Sequence, residues 1–304
     1  MRKHIPAVII GLMIVLVVLL AVAGCQSAPP VPTTTTSIVS TTSTSSTTTS
    51  TIVGNDETAY IQSQLDANNS FYVNRTYIVD TTIYPPFGST ITFGPNGKFI
   101  RTAEAPVKNG TNPMIVLNTG NVTIDNLDIA GPNPCVVTWE HHPPDVYWYA
   151  QYDPAKEWHH AIRFSSGSNY VLNNPTITAV WGDAIDIFGP ASNPVQNITI
   201  TNLNASCVGR SIVSNTGSIN TKILGGESYG AFWWTFNIEP FGSYYVKDYY
   251  IENFQVGWSR YHYLFAGGPN FNCLVENVNL SNITFTSYWQ GVSIKPCVSN
   301  EISY

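Results

Sequence analysis

His160, Asp183, Asp186, Arg210 and Glu239 stand beside short apolar strands that restart at a near-regular interval. These strands read Ala161-Ile162-Arg163-Phe164, Ala184-Ile185-Asp186-Ile187, Ser211-Ile212-Val213-Ser214 and Phe236-Asn237-Ile238-Glu239, with Val292-Ser293-Ile294-Lys295 further on. The first four starts are 23, 27 and 25 residues apart. If each interval is one turn of a coil, residues some two dozen apart become vertical neighbours. Side chains alternate across a strand, so Ile162, Ile185 and Ile212 facing inward send Arg163, Asp186 and Val213 outward. Three residues before those outward positions come His160, Asp183 and Arg210. The expectation is a single column holding an imidazole, a carboxylate and a guanidinium beside Asp186, with Glu239, two residues beyond Asn237, joining the same face.

Such a column suits acidic-polysaccharide chemistry. In β-elimination a base removes the proton next to a uronate carboxylate while a cation stabilises the developing charge. Arg210 or His160 is then the base, with Asp183 and Asp186 holding Ca²⁺ or orienting the imidazole. In hydrolysis two carboxyls from Asp183, Asp186 and Glu239 divide the acid and base roles, and a separation of about 6.5–9.5 Å indicates inversion. The residues leave both chemistries open, and also a charged ladder whose members only satisfy one another. The segment from Pro132 to His160 is too long for a coil corner and is rich in aromatics. Trp139, Trp148, Tyr152 and Trp158, with Trp181 and Arg163 on the coil, are the candidates for stacking on and holding a sugar. A flap packed onto the coil is the alternative. The histidines of this segment lack zinc-site spacing.

The elements that must position these groups are strands. A second series, apolar-x-Asn, interleaves with the first: Ile124-Asp125-Asn126, Leu172-Asn173-Asn174, Ile200-Thr201-Asn202, Ile251-Glu252-Asn253 and Val275-Glu276-Asn277. Two or three strands per turn, with an asparagine at a corner and coils ~4.8 Å apart, make a parallel β-helix in which each corner amide bonds to the next. Helical spacing is confined to a short segment from Glu57 to Ala67, with Tyr60, Ile61 and Leu65. The fold expected is all-β: a single-stranded right-handed parallel β-helix, a solenoid, with a short N-terminal capping helix.

Asp56-Glu57-Thr58-Ala59-Tyr60-Ile61-Gln62 with Leu65-Asp66, then Tyr77-Ile78-Val79 and Gly88-Ser89-Thr90-Ile91, resembles the N-terminal cap and first coil of the pectate lyase-like right-handed parallel β-helix superfamily. Trp181-Gly182-Asp183-Ala184-Ile185-Asp186-Ile187, Gly209-Arg210 and Asn237-Ile238-Glu239-Pro240 resemble β-helix proteins of phage tails and bacterial surfaces. The resemblance implies a polysaccharide lyase or hydrolase and covers nearly all of 55–304. Asp183-Ala184-Ile185-Asp186 is similar to the Asp-Gly-Ile-Asp of polygalacturonases, but their Gly-Asp-Asp, Gly-His-Gly and Arg-Ile-Lys motifs are missing, which puts pectin hydrolysis by that route in doubt.

Composition supports the same picture. Of 304 residues 43% are apolar and only 11% charged, with a formal net charge of −6, which argues against nucleic acid as a partner. Arg2 and Lys3 precede an apolar stretch from Ile5 to Ala23 that ends in Val22-Ala23-Gly24-Cys25. That tetrapeptide resembles a bacterial lipobox, so residues 1–24 are expected to be a lipoprotein signal and Cys25 the lipidated residue; a transmembrane anchor is the alternative. Either way the remainder lies outside the cytoplasm, at the membrane surface. Residues 25–54 read as a tether, since 17 of the 19 residues from Thr33 to Thr51 are Ser or Thr. Eight Asn-x-Ser/Thr triplets begin at Asn68, Asn74, Asn109, Asn121, Asn197, Asn204, Asn279 and Asn282, and strands rich in Asn and Thr generate such triplets by chance. Cys135, Cys207, Cys273 and Cys297 allow one or two disulfides of unspecified connectivity. Three readings of the whole remain: a surface-anchored polysaccharide lyase or glycoside hydrolase, a carbohydrate-binding module, and a structural element of the envelope.

Overall fold

The computed structural model describes residues 55–103, 105, 111–138, 147–240, 244–257, 259, 262–266, 274–285, 292–294 and 302–303. The signal and tether expected over 1–54, with Cys25, lie outside the described residues, as do Trp139, Cys273 and Cys297. Among the described residues no helix is long and apolar enough to cross a membrane.

Among the described residues nineteen strands join through parallel pairings only, each strand bonding to the equivalent strand of the next coil. This is the parallel β-helix expected from the repeat. The interior is a set of apolar stacks. Ile115, Ile162, Ile185, Val213 and Phe236 form one, and Ile124, Leu172, Ile200, Ile223 and Ile251 another; all are buried. The helix Thr58–Asn68 closes the N-terminal end by laying Ile61 and Leu65, both fully buried, over the first coil, while Tyr60 faces solvent. A solenoid needs such a plug, because its terminal coil would otherwise expose the core. The helix stops at Asn69, whose left-handed conformation lets its N–H reach Leu65 O at 2.8 Å.

Asparagine makes the corners, and it makes two of them. Asn126, Asn174 and Asn202 form one ladder, in which Asn174 Nδ2 donates to Asn126 Oδ1 at 3.0 Å and Asn202 Nδ2 to Asn174 Oδ1 at 2.9 Å. The ladder passes Gly225 and resumes with Asn282 donating to Asn253. The second ladder holds Asn121, Asn169, Asn197 and Asn220, then Asp248 and Asn277. All these residues have φ near +55°, a conformation that asparagine and aspartate tolerate better than other side-chain-bearing residues. The expected series is therefore corrected at its last member. Asn277 belongs to the second ladder, and Asn282 takes its place in the first. Three of the glycosylation triplets, at Asn121, Asn197 and Asn282, owe their asparagine to these ladders.

Asp248 interrupts the second ladder. It accepts from Asn277 Nδ2 at 2.7 Å, but a carboxylate has no N–H with which to donate onward to Asn220. Replacing Asp248→Asn restores the missing donor and is expected to stabilise the protein by about 0.5–1 kcal/mol, read as a higher urea midpoint with an unchanged m-value. An unchanged or lower midpoint contradicts this account of the ladder.

The insertion between Pro132 and His160 carries an antiparallel hairpin, Cys135–Thr138 with Tyr147–Ala150. A disulfide between Cys135 and Cys207, 72 residues apart in sequence, ties the hairpin to the solenoid wall. Asn133 adds to the tie, donating from Nδ2 to Gln151 O and Val180 O and accepting the Gln151 N–H.

Candidate functional site

The wall strands Ile162–Phe164, Ile185–Phe188, Val213–Ala231 and Trp234–Ile238 bring the column together. Their register places Arg163 beside Asp186, Asp186 beside Ser214 and Ser214 beside Asn237. The expected alignment is thus one residue out at the third coil: Ile185 pairs with Val213, and Ser214, not Val213, occupies the outward position. The physical reason is that Ile212 and Val213 are both apolar and both fully buried, so alternation alone does not say which one lies in the wall strand.

The same correction moves Arg210. Ser211 N–H donates to Asp183 Oδ1 at 2.8 Å, whereas Arg210 N–H bonds to Gly182 O at 3.2 Å. Along the backbone Arg210 therefore neighbours Gly182, and Ser211 continues the His160–Asp183 column. Gly182 has to be bare: a Cβ there would lie 2.8 Å from Glu157 O and from the backbone of His159 and His160. The guanidinium of Arg210 nevertheless returns to the column, with Nη1 3.5 Å from Asp183 Oδ2.

His160 is the hub. It is fully buried, with Nδ1 3.3 Å from Asp183 Oδ2 and Nε2 3.4 Å from Asp186 Oδ2. The backbone N–H of Asp183 donates to Nδ1 at 2.9 Å, so in the neutral ring Nδ1 carries the lone pair and Nε2 the hydrogen, which is turned toward Asp186. Arg163 Nε approaches Asp186 Oδ2 at 2.7 Å, and the Arg163 guanidinium lies 4.6 Å from the Phe188 ring centroid. Two carboxyls and two guanidiniums balance in formal charge. The contacts among them are close but poorly aligned: Asp183 Oδ2, Asp186 Oδ2, His160 Nε2 and Arg163 Nε are buried without a well-formed hydrogen bond.

The two aspartates differ in acidity. Burial alone raises Asp183, but the Arg210 guanidinium, His160 and the Ser211 N–H together more than offset this and hold its carboxyl below the usual range. Burial raises Asp186 as well, and there His160 and Arg163 do not overcome it, so its carboxyl titrates above the usual range. Arg210 is desolvated, which lowers its pKa, yet Asp183, Glu157, Asp186 and Glu239 raise it further, so it stays protonated. Glu239 is half-buried and accepts from Asn237 Nδ2 at 3.2 Å, which places it on the outward line Asp186–Ser214–Asn237.

The aromatics assemble around Arg210. Its guanidinium carbon lies 5.1 Å from the ring centroids of both Trp158 and Trp233. Tyr152 stacks on Phe232 at 5.4 Å and leans on Trp233 at 4.9 Å, and its hydroxyl donates to Glu157 Oε2 at 2.7 Å. Burial and that bond push the Tyr152 hydroxyl up to about 12. Trp158 meets His160 edge-on at 5.9 Å, and Lys156 Nζ lies 4.4 Å from the Trp181 ring centroid. Tyr152, Trp158 and Trp181 thus gather near the column as expected, but protein groups already lie against their rings. Trp148 belongs to the hairpin strand Tyr147–Ala150. Ser214 and Glu157 complete the site and were missed in the sequence, whereas Asn237 stands on the outward line as expected and Trp233, which the sequence left open between the aromatic wall and the coil interior, lies against Arg210. The 23-residue step from Asn237 back to Ser214 was the available signal for Ser214.

One nitrogen of His160 and one oxygen each of Asp183 and Asp186 lie within 4.8 Å of one another, a separation that a cation can bridge. The donor set fits poorly, however. Arg163 and Arg210 already lie against the same two Oδ2 atoms, so a divalent ion such as Ca²⁺ has to displace both guanidiniums.

Fold and site together define a parallel β-helix protein with a buried charged column under an aromatic cover. No family model matches the chain, and no curated protein matches it. Among solved structures it is similar to the enzymatically active domain of Bacteriophage CBA120 tailspike protein 2, with 12% identity and a TM-score of 0.34, over 77% of this chain and 44% of that one. The chain thus spans less than half the length of that neighbour.

Proposed function

We propose that the protein hydrolyses an acidic polysaccharide, with Asp186 as general acid and Glu239 as the carboxylate that activates water. The reading rests chiefly on the split between the two aspartates. Asp183 is held ionised by Arg210, while Asp186 retains its proton to higher pH, as a general acid must. Asp186 delivers its proton to the glycosidic oxygen as the C–O bond breaks, and water deprotonated by Glu239 attacks the anomeric carbon. Asn237 stands two rungs from Asp186, ~10 Å at ~4.8 Å per rung, and holds the Glu239 carboxylate, so the two carboxyls are not in direct contact and a water can stand between them. Arg163 and Arg210, each about a tenth exposed, supply cations for uronate or other acidic groups.

Elimination is the weaker alternative. Arg210 is held protonated and His160 has no exposed surface, so neither serves well as base. A binding role without turnover is favoured by one observation, that Asp186 is only 3% exposed. The N-terminal apolar stretch and Cys25 would hold the protein at the outer membrane surface, as a lipoprotein.

The test is incubation of the purified protein with acidic and neutral polysaccharides, following reducing ends and unsaturated-uronate absorbance together. New ends without absorbance support hydrolysis, and absorbance with new ends supports elimination. Retention on a polysaccharide column with neither signal supports binding alone.

A further inference from the structure

Beyond the first asparagine corner, on strand segments that carry none of the charged column, the outer surface holds a cavity of about 290 Å³. Its floor is a small grid. Asn204, Glu227 and Gln255 occupy equivalent positions on three successive coils, and Ser206 pairs with Tyr229 two residues further along, beside Gly257. Neighbouring rungs lie ~4.8 Å apart and alternate residues ~6.6 Å apart, so the grid measures roughly 10 by 7 Å.

The chemistry of the grid is distinctive. Asn204 and Gln255 offer amides that both donate and accept, Ser206 a hydroxyl, and Glu227 an acceptor that already holds Asn204 Nδ2 at 3.3 Å. No Lys, Arg or His lines the cavity among the described residues. Tyr229 supplies the apolar component: the residue is 38% exposed and its ring leans over Gly257, where a Cβ would meet it at 2.8 Å. An exposed aromatic face beside a row of mixed donors and acceptors, with one negative charge and no cation, is matched to a ligand with apolar C–H faces and many hydroxyls. It is mismatched to phosphate, sulfate or a uronate.

We propose that this cavity is a second saccharide site, specific for uncharged sugar residues that stack on Tyr229 and hydrogen-bond to Asn204, Glu227 and Gln255. It differs from the Asp186 column in position and in ligand charge. The two sites together fit a heteropolysaccharide in which neutral units neighbour acidic ones.

The full-length protein, made in a host that does not glycosylate asparagine because Asn204 opens an Asn-x-Ser triplet, is titrated calorimetrically with neutral trisaccharides of glucose, galactose, mannose and N-acetylglucosamine. At least one is expected to bind. Tyr229→Ala is expected to weaken that binding tenfold or more and Glu227→Gln several-fold, both with an unchanged melting temperature, since both side chains are exposed. Asp186→Asn is expected to leave the titration unaltered, which separates this site from the hydrolytic one. Failure of all four sugars to bind the wild type, or equal binding by Tyr229→Ala, overturns the proposal.

Discussion

Asp186→Asn is expected to lower polysaccharide turnover by about 10²–10⁴-fold while leaving retention on the substrate nearly intact. The amide preserves the shape of the protonated acid but has no proton to give to a leaving oxygen, and general acid catalysis contributes about that factor. The pH profile supplies an independent readout. Burial holds the Asp186 carboxyl above the ordinary value of about 3.9, so the active, protonated form extends to higher pH than an exposed carboxyl permits. Activity should fall as pH rises through the folded pKa, and Asp186→Asn should lack that alkaline limb. The stability contribution runs in the same direction with pH. A raised folded pKa favours the fold below the unfolded value and is lost as pH rises through the folded value. Removing the charge is therefore expected to leave the melting temperature at neutral pH equal or higher. A variant that keeps full turnover rules out Asp186 as the acid, and one that unfolds at neutral pH contradicts the burial argument for its raised pKa.

Much of this geometry was legible in the linear chain because a solenoid converts spacing into contact. His160, Asp183 and Asp186 are 23 and 3 residues apart, and the repeat alone brings them within reach of one another. What failed was register, and it failed where the pattern was degenerate. Ile212 and Val213 offer two equivalent candidates for one inward position. Val275-Glu276-Asn277-Val278 and Leu280-Ser281-Asn282-Ile283 both satisfy apolar-x-Asn-apolar, and only the pairing of coils separates the two ladders. Arg210 reached the site through its long side chain although its backbone stands one position away. Burial of the column was not legible either. It depends on Trp158, Tyr152 and Trp233 folding over Arg210, and these come from segments with no periodicity in common with the strands.

Arg210→Met should cost about 3–5 kcal/mol at neutral pH, because it strips the guanidinium from a carboxylate that has no exposed surface. The methionine fills most of the space between Trp158 and Trp233, so the loss reports the charge more than a cavity. The pH dependence identifies the cause. In the wild type Asp183 has a depressed pKa, so its contribution is present above the unfolded value near 3.9 and disappears as pH falls through the folded value. In the variant the strongest single influence lowering that pKa is gone, so the carboxyl takes up its proton at higher pH than in the wild type and the variant gains relative stability as acid protonates it. The difference between the two proteins should therefore narrow from pH 7 toward pH 4, and Asp183→Asn in the Arg210→Met background should recover part of the loss at pH 7. Urea unfolding at the two pH values decides the matter. A loss below about 1 kcal/mol, or a gap that does not change with pH, would mean that Arg210 holds its aromatic neighbours in place and does little for Asp183.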